Sequence, residues 1–468
     1  MKKRTRLLSA FMVTCMMTGA LAGCGSTAET ATDAVETNNG GEVSAITDDK
    51  SATAEKVNDV EKAEDTVAAS DDVIELTYWY CWTGPTQENN IELAEKFNET
   101  IGKEKGIHVT AEYQGTYDEC HQKLQAAYVA GEAPNISVME ISTIRRFAEN
   151  GVLAPIDSYI TESGVDMSDF YDALVPNCYV NEVCYALPYL RSTPIMYCNN
   201  TLLKEAGWDA SQIKTWDDMR DAAVAVHEKT GKYGLTQYSY MWTLDAFMIE
   251  HGSAVLNEDE TAVQLNTPEG KEVIGYFRDL IDQGVVHAYN NTEYEKVDTD
   301  VQNLSTAIWF GSTGSLTAYM ATAEELGFEL ATAFIPMETN YGTPTGGCCV
   351  VMMGGQSPEE EAATWEFMKF MTETEQVVKS SIKTGYLVSR KSGGETEEMK
   401  AYFEENPLAK VALDQLDYVP ARAAYSNPNY TEACKVILEG LDAIYINGAD
   451  IDSTLADVEA KANKILNQ

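Results

Sequence analysis

Beginning at Val73, the apolar side chains switch repeatedly between strict alternation and helical spacing. Val73-Ile74-Glu75-Leu76-Thr77-Tyr78-Trp79-Tyr80 alternates as a half-buried strand does. Trp82-Thr83-Gly84-Pro85 reads as a turn, and residues 86–100 then take helical spacing with Ile91, Leu93, Ala94 and Phe97 apolar. A second strand is predicted over 109–113, a helix over Tyr117–Ala130 stopped by Gly131, and a short buried strand over 136–139. Strands separated by helices pair side by side through crossovers, so the order predicts an α/β fold with mainly parallel sheet. The rhythm resumes with a strand at 195–198, helices at 201–206, Trp216–Thr230, 242–252 and 269–283, and a strand at 307–310. Next come a helix at Leu316–Leu326, a strand at 348–353 and an amphipathic helix at Pro358–Met371. A turn and strand at 384–388 and helices at 431–445 and Ile451–Leu466 complete it. Roughly four hundred residues exceed one hydrophobic core, so two lobes are expected.

The residues before Val73 are of another kind. Lys2, Lys3, Arg4 and Arg6 precede an uncharged, largely apolar run from Leu7 to Ala20, and Leu21-Ala22-Gly23-Cys24 follows. This order reads as a secretory signal over 1–23, too short for a comfortable membrane span. Leu-Ala-Gly-Cys followed by Gly25-Ser26 resembles a bacterial lipobox, in which Cys24 becomes the acylated first residue of the mature chain. The expected location is therefore the outer side of the cell membrane, with the globular part held there by acyl chains. Residues 24–72 contain no aromatic residue and many acidic ones, which predicts a disordered, extended tether.

Composition excludes several classes of partner. The chain carries 74 acidic and 33 basic residues, a net charge of −41. Nucleic acid needs a basic patch and is not expected as a partner; the field also disfavours anionic ligands lacking a local basic site. The chain is expected to be a monomer. Of ten cysteines, Cys15 leaves with the signal and Cys24 takes lipid, leaving Cys81, Cys120, Cys178, Cys184, Cys198, Cys348, Cys349 and Cys434. None forms a CxxC pair. Cys178 and Cys184 can bridge across a turn at Asn181-Glu182; the alternative makes most of these thiols small buried hydrophobes.

An ordered set of landmarks points further. Trp79 to Gly84 comes first, then Gly115-Thr116-Tyr117 before a helix, and Gly131-Glu132-Ala133-Pro134-Asn135 before a strand ending at Glu140. Leu187-Pro188 to Tyr197-Cys198-Asn199, Ala206-Gly207, Thr215-Trp216-Asp217-Asp218, Gly346-Gly347 and Thr384-Gly385-Tyr386-Leu387 follow. In this order, over 73–468, the chain resembles the sugar-type extracellular solute-binding proteins of bacterial ABC importers, and within them the branch that binds glycerol phosphates. The resemblance implies a two-lobed periplasmic-binding-protein-like fold, each lobe a mainly parallel sheet flanked by helices, with ligand between the lobes. The lobes are expected to comprise 73–188 plus 335–390 and 189–334 plus 391–468, with crossings near 188–193, 333–337 and 390–400. It also implies a membrane permease pair and an ATPase as partners, no cofactor, and lobe closure as the capture step. In the glycerol phosphate branch an arginine near the C-terminal helices holds part of the phosphate. Here Ala424 stands at that position and Arg422 lies two residues earlier.

A sugar or polyol offers flat C–H faces and a rim of hydroxyls, which call for aromatic platforms and for carboxylate, amide and hydroxyl groups. The platform candidates are Trp82, in the loop after the first strand, and Trp216; their structural alternatives are surface packing and a helix start stapled to a core. Trp242 and Trp309 are read as core. Glu140 ends a strand and can accept ligand hydroxyls. Ser312, Thr313 and Ser315 open a helix, as ligand-binding groups or as plain caps. Ser192 lies at a crossing, Gly347 lets backbone come close to a ligand, Tyr117 follows from the resemblance, and Tyr386 closes the site with its hydroxyl. The five histidines show no HExxH spacing, and no GxSxG, Walker or GxGxxG motif occurs. The reading is a binder and not an enzyme; the alternatives are a sensory or adhesive lipoprotein and an exported glycoside hydrolase.

Overall fold

The computed structural model describes residues 73–468 except 421–424 and 426, so Cys24, the tether and Arg422 lie outside the described residues. The strands in chain order are β1 (Ile74–Tyr80), β2 (Ile107–Tyr113), β3 (Ile136–Glu140), β4 (Tyr179–Val180), β5 (Val183–Cys184) and β6 (Ala186–Ser192). They continue as β7 (Pro194–Asn199), β8 (Tyr233–Tyr238), β9 (Val286–Tyr289), β10 (Thr306–Ser312), β11 (Leu330–Ala333) and β12 (Gly346–Met352). Two five-stranded sheets result, ordered β2-β1-β3-β12-β6 and β11-β7-β10-β8-β9. In the first, β1 is parallel to β2 and β3, and only β12 runs against the rest. In the second, only β7 runs against the rest. The expected α/β architecture with mainly parallel sheets is what the chain adopts.

Local sequence accounts for the element ends that matter later. Thr116 and Glu119 form a reciprocal cap, with Glu119 N–H donating to Thr116 Oγ1 at 3.4 Å and Thr116 N–H to Glu119 Oε2 at 2.8 Å. That cap starts the helix at Tyr117, and Gly131 at φ 76° ends it. Thr215 and Asp218 cap the helix that opens with Trp216 in the same way. Each sheet is coated by helices over its own apolar core; Tyr78, Phe97 and Phe367 anchor the first, and Trp216, Phe247, Phe277 and Phe310 the second.

The chain leaves the first sheet at Ser192 and enters the second at Pro194. The expected break after residue 188 therefore falls inside β6, which pairs with β12 as far as Ser192; the crossing is the single residue Thr193. The return runs from the end of β11 to the start of β12, over 334–345. Glu250, 1% exposed, grips this return by accepting from Gly342 N–H at 3.3 Å, and burial pushes its carboxyl up to about 10. A third tie forms at Leu387, whose N–H donates to the Arg191 carbonyl at 2.8 Å. The expected strand at 384–388 is thus a helix end at Thr384, a left-handed Gly385 and one isolated bridge. Arg191 is fully buried and spends its guanidinium on Leu174 O, Gly346 O, Asn177 Oδ1 and Thr345 Oγ1 at 2.5–3.1 Å.

The eight cysteines among the described residues are free thiols, seven of them buried. Cys178 does not bridge to Cys184. The turn at Asn181-Glu182, both left-handed at φ 49° and 68°, pairs β4 with β5 and faces Cys184 with Tyr179, while Cys178 Sγ lies 3.8 Å from Cys349 Sγ.

Candidate functional site

Strands that share a direction bring their carboxyl ends to one edge, where ligands of open α/β sheets bind. β3 and β6 end there at Glu140 and Ser192, Trp82 follows two residues after the end of β1 at Tyr80, and β8 and β10 of the second sheet end at Tyr238 and Ser312. All of these line one cavity of about 840 Å³ bounded by both sheets.

On the first-sheet side three aromatic residues converge. Trp82 holds φ at 69°, a conformation that a non-glycine residue adopts at a cost of about 1–2 kcal/mol. Its N–H donates to Gly115 O at 3.0 Å, and its ring meets Tyr117 edge-on at 5.4 Å. Tyr386 reaches the same wall. Gly314 makes room for it: a Cβ there would lie 2.6 Å from the Tyr386 ring. Glu140 closes this side. Ser142 N–H donates to its Oε2 at 2.9 Å and Ser142 Oγ donates to the same oxygen, yet burial still holds the carboxyl above its usual range. Gly347, at φ 80°, forms part of the floor; a Cβ there would sit 2.1 Å from Leu190 O, so only glycine fits.

The second-sheet side is aromatic as well. Tyr238 and Tyr240 stack at 5.0 Å and 17°, Trp242 lies 6.2 Å beyond, and Tyr294 stands 6.4 Å from Tyr238. Tyr240 and Tyr294 remain 39% and 46% exposed, unusual for large rings inside a cleft. Asp298 also lines this side, accepting from Tyr319 Oη at 2.7 Å, and desolvation raises its carboxyl. Ser312 and Ser315 reach the cavity from the end of β10 and the helix opening. Asp245, the third carboxylate, accepts from Tyr425 Oη at 2.8 Å. No Lys, Arg or His stands among the described lining residues, and no group of described His, Cys, Asp or Glu is placed to hold a metal ion.

A family model described as bacterial extracellular solute-binding protein matches residues 92–407, more than half of the chain. The chain belongs to this family. As a solute-binding protein it is a binder and not an enzyme. It is 23% identical over 416 residues to the sn-glycerol-3-phosphate-binding periplasmic protein UgpB of Pectobacterium atrosepticum, covering 84% of this chain and 91% of that protein. It also resembles the crystal structure of UgpB from Mycobacterium tuberculosis in complex with glycerophosphocholine, with TM-score 0.75 and 25% identity, over 84% of this chain and 98% of that one. The sugar-binding protein MalE of Xanthomonas citri shares the fold, with TM-score 0.72 and 18% identity, over 84% of this chain and 97% of that one.

The solute-binding protein brings Trp82, Tyr117, Glu140, Ser192, Ser312, Ser315, Gly347 and Tyr386 to the cavity. Two expected residues are elsewhere. Trp216 is 3% exposed in the second core, packed against Tyr276, Phe247 and His251 at 5.0, 5.4 and 5.8 Å, so its ring is structural and no platform. Thr313 is buried because its Oγ1 accepts from Thr193 N–H at 3.4 Å and its own N–H donates to Thr193 O at 3.1 Å, which ties the helix opening to the crossing. Trp309 is core, as expected, but Trp242 is not: it lines the cavity and donates Nε1–H to Thr345 O at 3.1 Å. Tyr238, Tyr240, Trp242, Tyr294 and Asp298 escaped the sequence reading as site residues. For the first three the one signal is the polar-aromatic run Tyr238-Ser239-Tyr240-Met241-Trp242.

Proposed function

We propose that this solute-binding protein is the capture subunit of an ABC importer, taking a hydroxyl-rich small solute between its lobes and presenting it to a membrane permease. The observation that carries the reading is the cavity itself: aromatic faces on both walls, carboxylates and hydroxyls between them, and strand ends of both sheets around them. Such a lining suits sugars, polyols and glycerol phosphate derivatives, and the relatives named above carry sugar, sn-glycerol 3-phosphate and glycerophosphocholine in their names or complexes. Ligand touching both walls favours the closed arrangement, and the permease reads that arrangement. The lobes of this reading meet at Thr193, at 334–345 and after Leu387. Cys24 is the acylated residue that retains the protein at the outer face of the membrane.

The test is small-angle scattering and thermal shift on the purified protein with a panel of sugars, polyols, glycerol phosphates and their diesters. A cognate solute is expected to raise the melting temperature by mass action and to shrink the radius of gyration; an unchanged radius at saturation rules out capture by closure. Cys24→Ser is expected to release the protein from the membrane fraction of its host, and continued retention would reject the anchor.

A further inference from the structure

We propose that Cys178 and Cys349 are a peroxide-oxidisable pair of thiols, whose disulfide staples the helical turns before β4 to β12 behind the crossing at Thr193.

The first observation is contact. Cys178 closes the short helical turn Pro176–Cys178, and Cys349 lies within β12. Their sulfurs stand 3.8 Å apart although the residues are 171 positions apart in the chain, and both side chains are fully buried. A disulfide needs a sulfur separation of about 2.05 Å, so the two side chains must close by roughly 1.8 Å between them. Cys184, much nearer to Cys178 in sequence, turns its thiol instead to the Ala186 carbonyl at 3.4 Å.

The second is charge. Arg191 holds Nη1 at 3.8 Å from Cys349 Sγ while the same nitrogen donates to Leu174 O at 2.5 Å. A fixed guanidinium beside a sulfur favours the thiolate, which is the form that attacks an oxidant. Burial pushes the Cys349 thiol up, and the Cys178 thiol and the Arg191 guanidinium bring it below its ordinary value. Burial holds the Cys178 thiol well above its own. Cys349 is therefore the attacking sulfur and Cys178 the resolving one, the pairing that carries a thiol to a disulfide.

The third is position. Arg191 Nη2 donates to Thr345 Oγ1 at 2.9 Å and Nε donates to Gly346 O at 2.9 Å, and both of these residues line the cavity. The arginine beside the two sulfurs thus lies directly behind the cavity wall. An oxidant the size of water can reach this place, whereas a bulky disulfide such as glutathione cannot meet sulfurs that are fully buried. An extracellular solute-binding protein works away from the reducing pool that keeps cytoplasmic thiols reduced. Arg191 already ties Leu174 and Asn177 to Thr345 and Gly346 through hydrogen bonds. The disulfide joins the same two segments covalently.

The step balances with hydrogen peroxide alone. The Cys349 thiolate attacks one peroxide oxygen, the O–O bond breaks, and hydroxide leaves and takes up the proton that Cys349 released. Cys178 then attacks the sulfur of the resulting sulfenic acid. The S–S bond forms, the S–O bond breaks, and the departing hydroxide takes the Cys178 proton. Two thiols and one peroxide give one disulfide and two waters, with two electrons passed from sulfur to oxygen.

The experiment treats the purified full chain, first reduced and desalted, with hydrogen peroxide under native conditions. Remaining thiols are alkylated, and the peptides are mapped by mass spectrometry without reduction. We expect a linked peptide pair joining Cys178 to Cys349, about 2 Da lighter than the two thiol peptides together and split again by dithiothreitol. The melting temperature of the oxidised protein should rise by about 3–6 °C. Cys178→Ser should stop the reaction at a Cys349 sulfenic acid that dimedone traps, and Cys349→Ser should leave Cys178 a free thiol. The mapping of the unsubstituted protein decides the pairing even if either variant fails to fold. Cys178 and Cys349 both alkylated after peroxide treatment overturns the proposal, as does a link from Cys178 to Cys184. A joined pair with an unchanged melting temperature overturns the staple.

Discussion

Replacing Trp216 by alanine separates the two roles that a tryptophan at a helix start can play in this fold. The ring is 3% exposed and touches Phe247, Tyr276 and His251 in the second core. A tryptophan buries at most about 250 Å², worth roughly 6 kcal/mol at about 25 cal/mol per Å². Alanine retains part of that burial and the site collapses in part, so the expected loss is about 3–5 kcal/mol. The Tyr276 hydroxyl bonds the Trp216 carbonyl at 2.7 Å, and this contact survives the substitution because it uses backbone. Urea unfolding followed by circular dichroism reads the loss: with a slope of about 3 kcal/mol per M, the midpoint should fall by roughly 1–1.7 M. Solute affinity, measured below the transition, should stay within about twofold. Binding weakened tenfold at an unchanged midpoint would put the ring in the cleft and refute the reasoning.

Trp82 should behave in the opposite way. Trp82→Ala is expected to weaken solute binding by about 1–3 kcal/mol, and Trp82→Gly to be more stable than the alanine variant by about 1–2 kcal/mol, since glycine tolerates φ 69°; equal stability of the two variants would deny the strain. Gly347→Ala should lower the melting temperature, because φ 80° and a Cβ 2.1 Å from Leu190 O leave it no room; an unchanged melting curve would contradict the close approach. Glu250 gives a pH signature. Its folded carboxyl is raised to about 10 from 4.5, so the folded state keeps a proton that the unfolded chain gives up. Its contribution is complete below about 4.5 and is lost as pH rises to about 10, at up to about 1.4 kcal/mol per pH unit. Glu250→Gln, which cannot ionise, should flatten the stability profile over that window; a profile as steep as that of the unsubstituted protein would show that another group titrates there.

Some of this fold is legible in the sequence for local reasons. The helices at Tyr117–Ala130, Trp216–Thr230, Leu316–Leu326 and Pro358–Met371 begin and end where the sequence places their caps, prolines and glycines. β8 and β9 escaped notice: Tyr-Gly-Leu-Thr-Gln-Tyr and Val-His-Ala-Tyr carry no clean alternation, and only their pairing in the second sheet makes them strands. The cleft shows the same division. Residues at strand ends, such as Trp82, Glu140 and Ser312, could be nominated because topology alone sends strand ends to the ligand edge. Trp216 and Trp242 could not be told apart, since each lies at a helix start and only the packing of that helix on its sheet decides which way the ring turns. Tyr294 and Asp298 belong to a stretch whose acidic composition matches the rest of the chain, so nothing in the sequence sets them off.

The exposure of Tyr240 and Tyr294 has an evolutionary consequence. Rings that contribute little to either core can be exchanged with almost no loss of folding stability, whereas Arg191 and Gly347, wedged into the junction between the sheets, cannot. A duplicated copy of this gene could therefore drift to a new nutrient through a few substitutions on one wall, inheriting an intact frame.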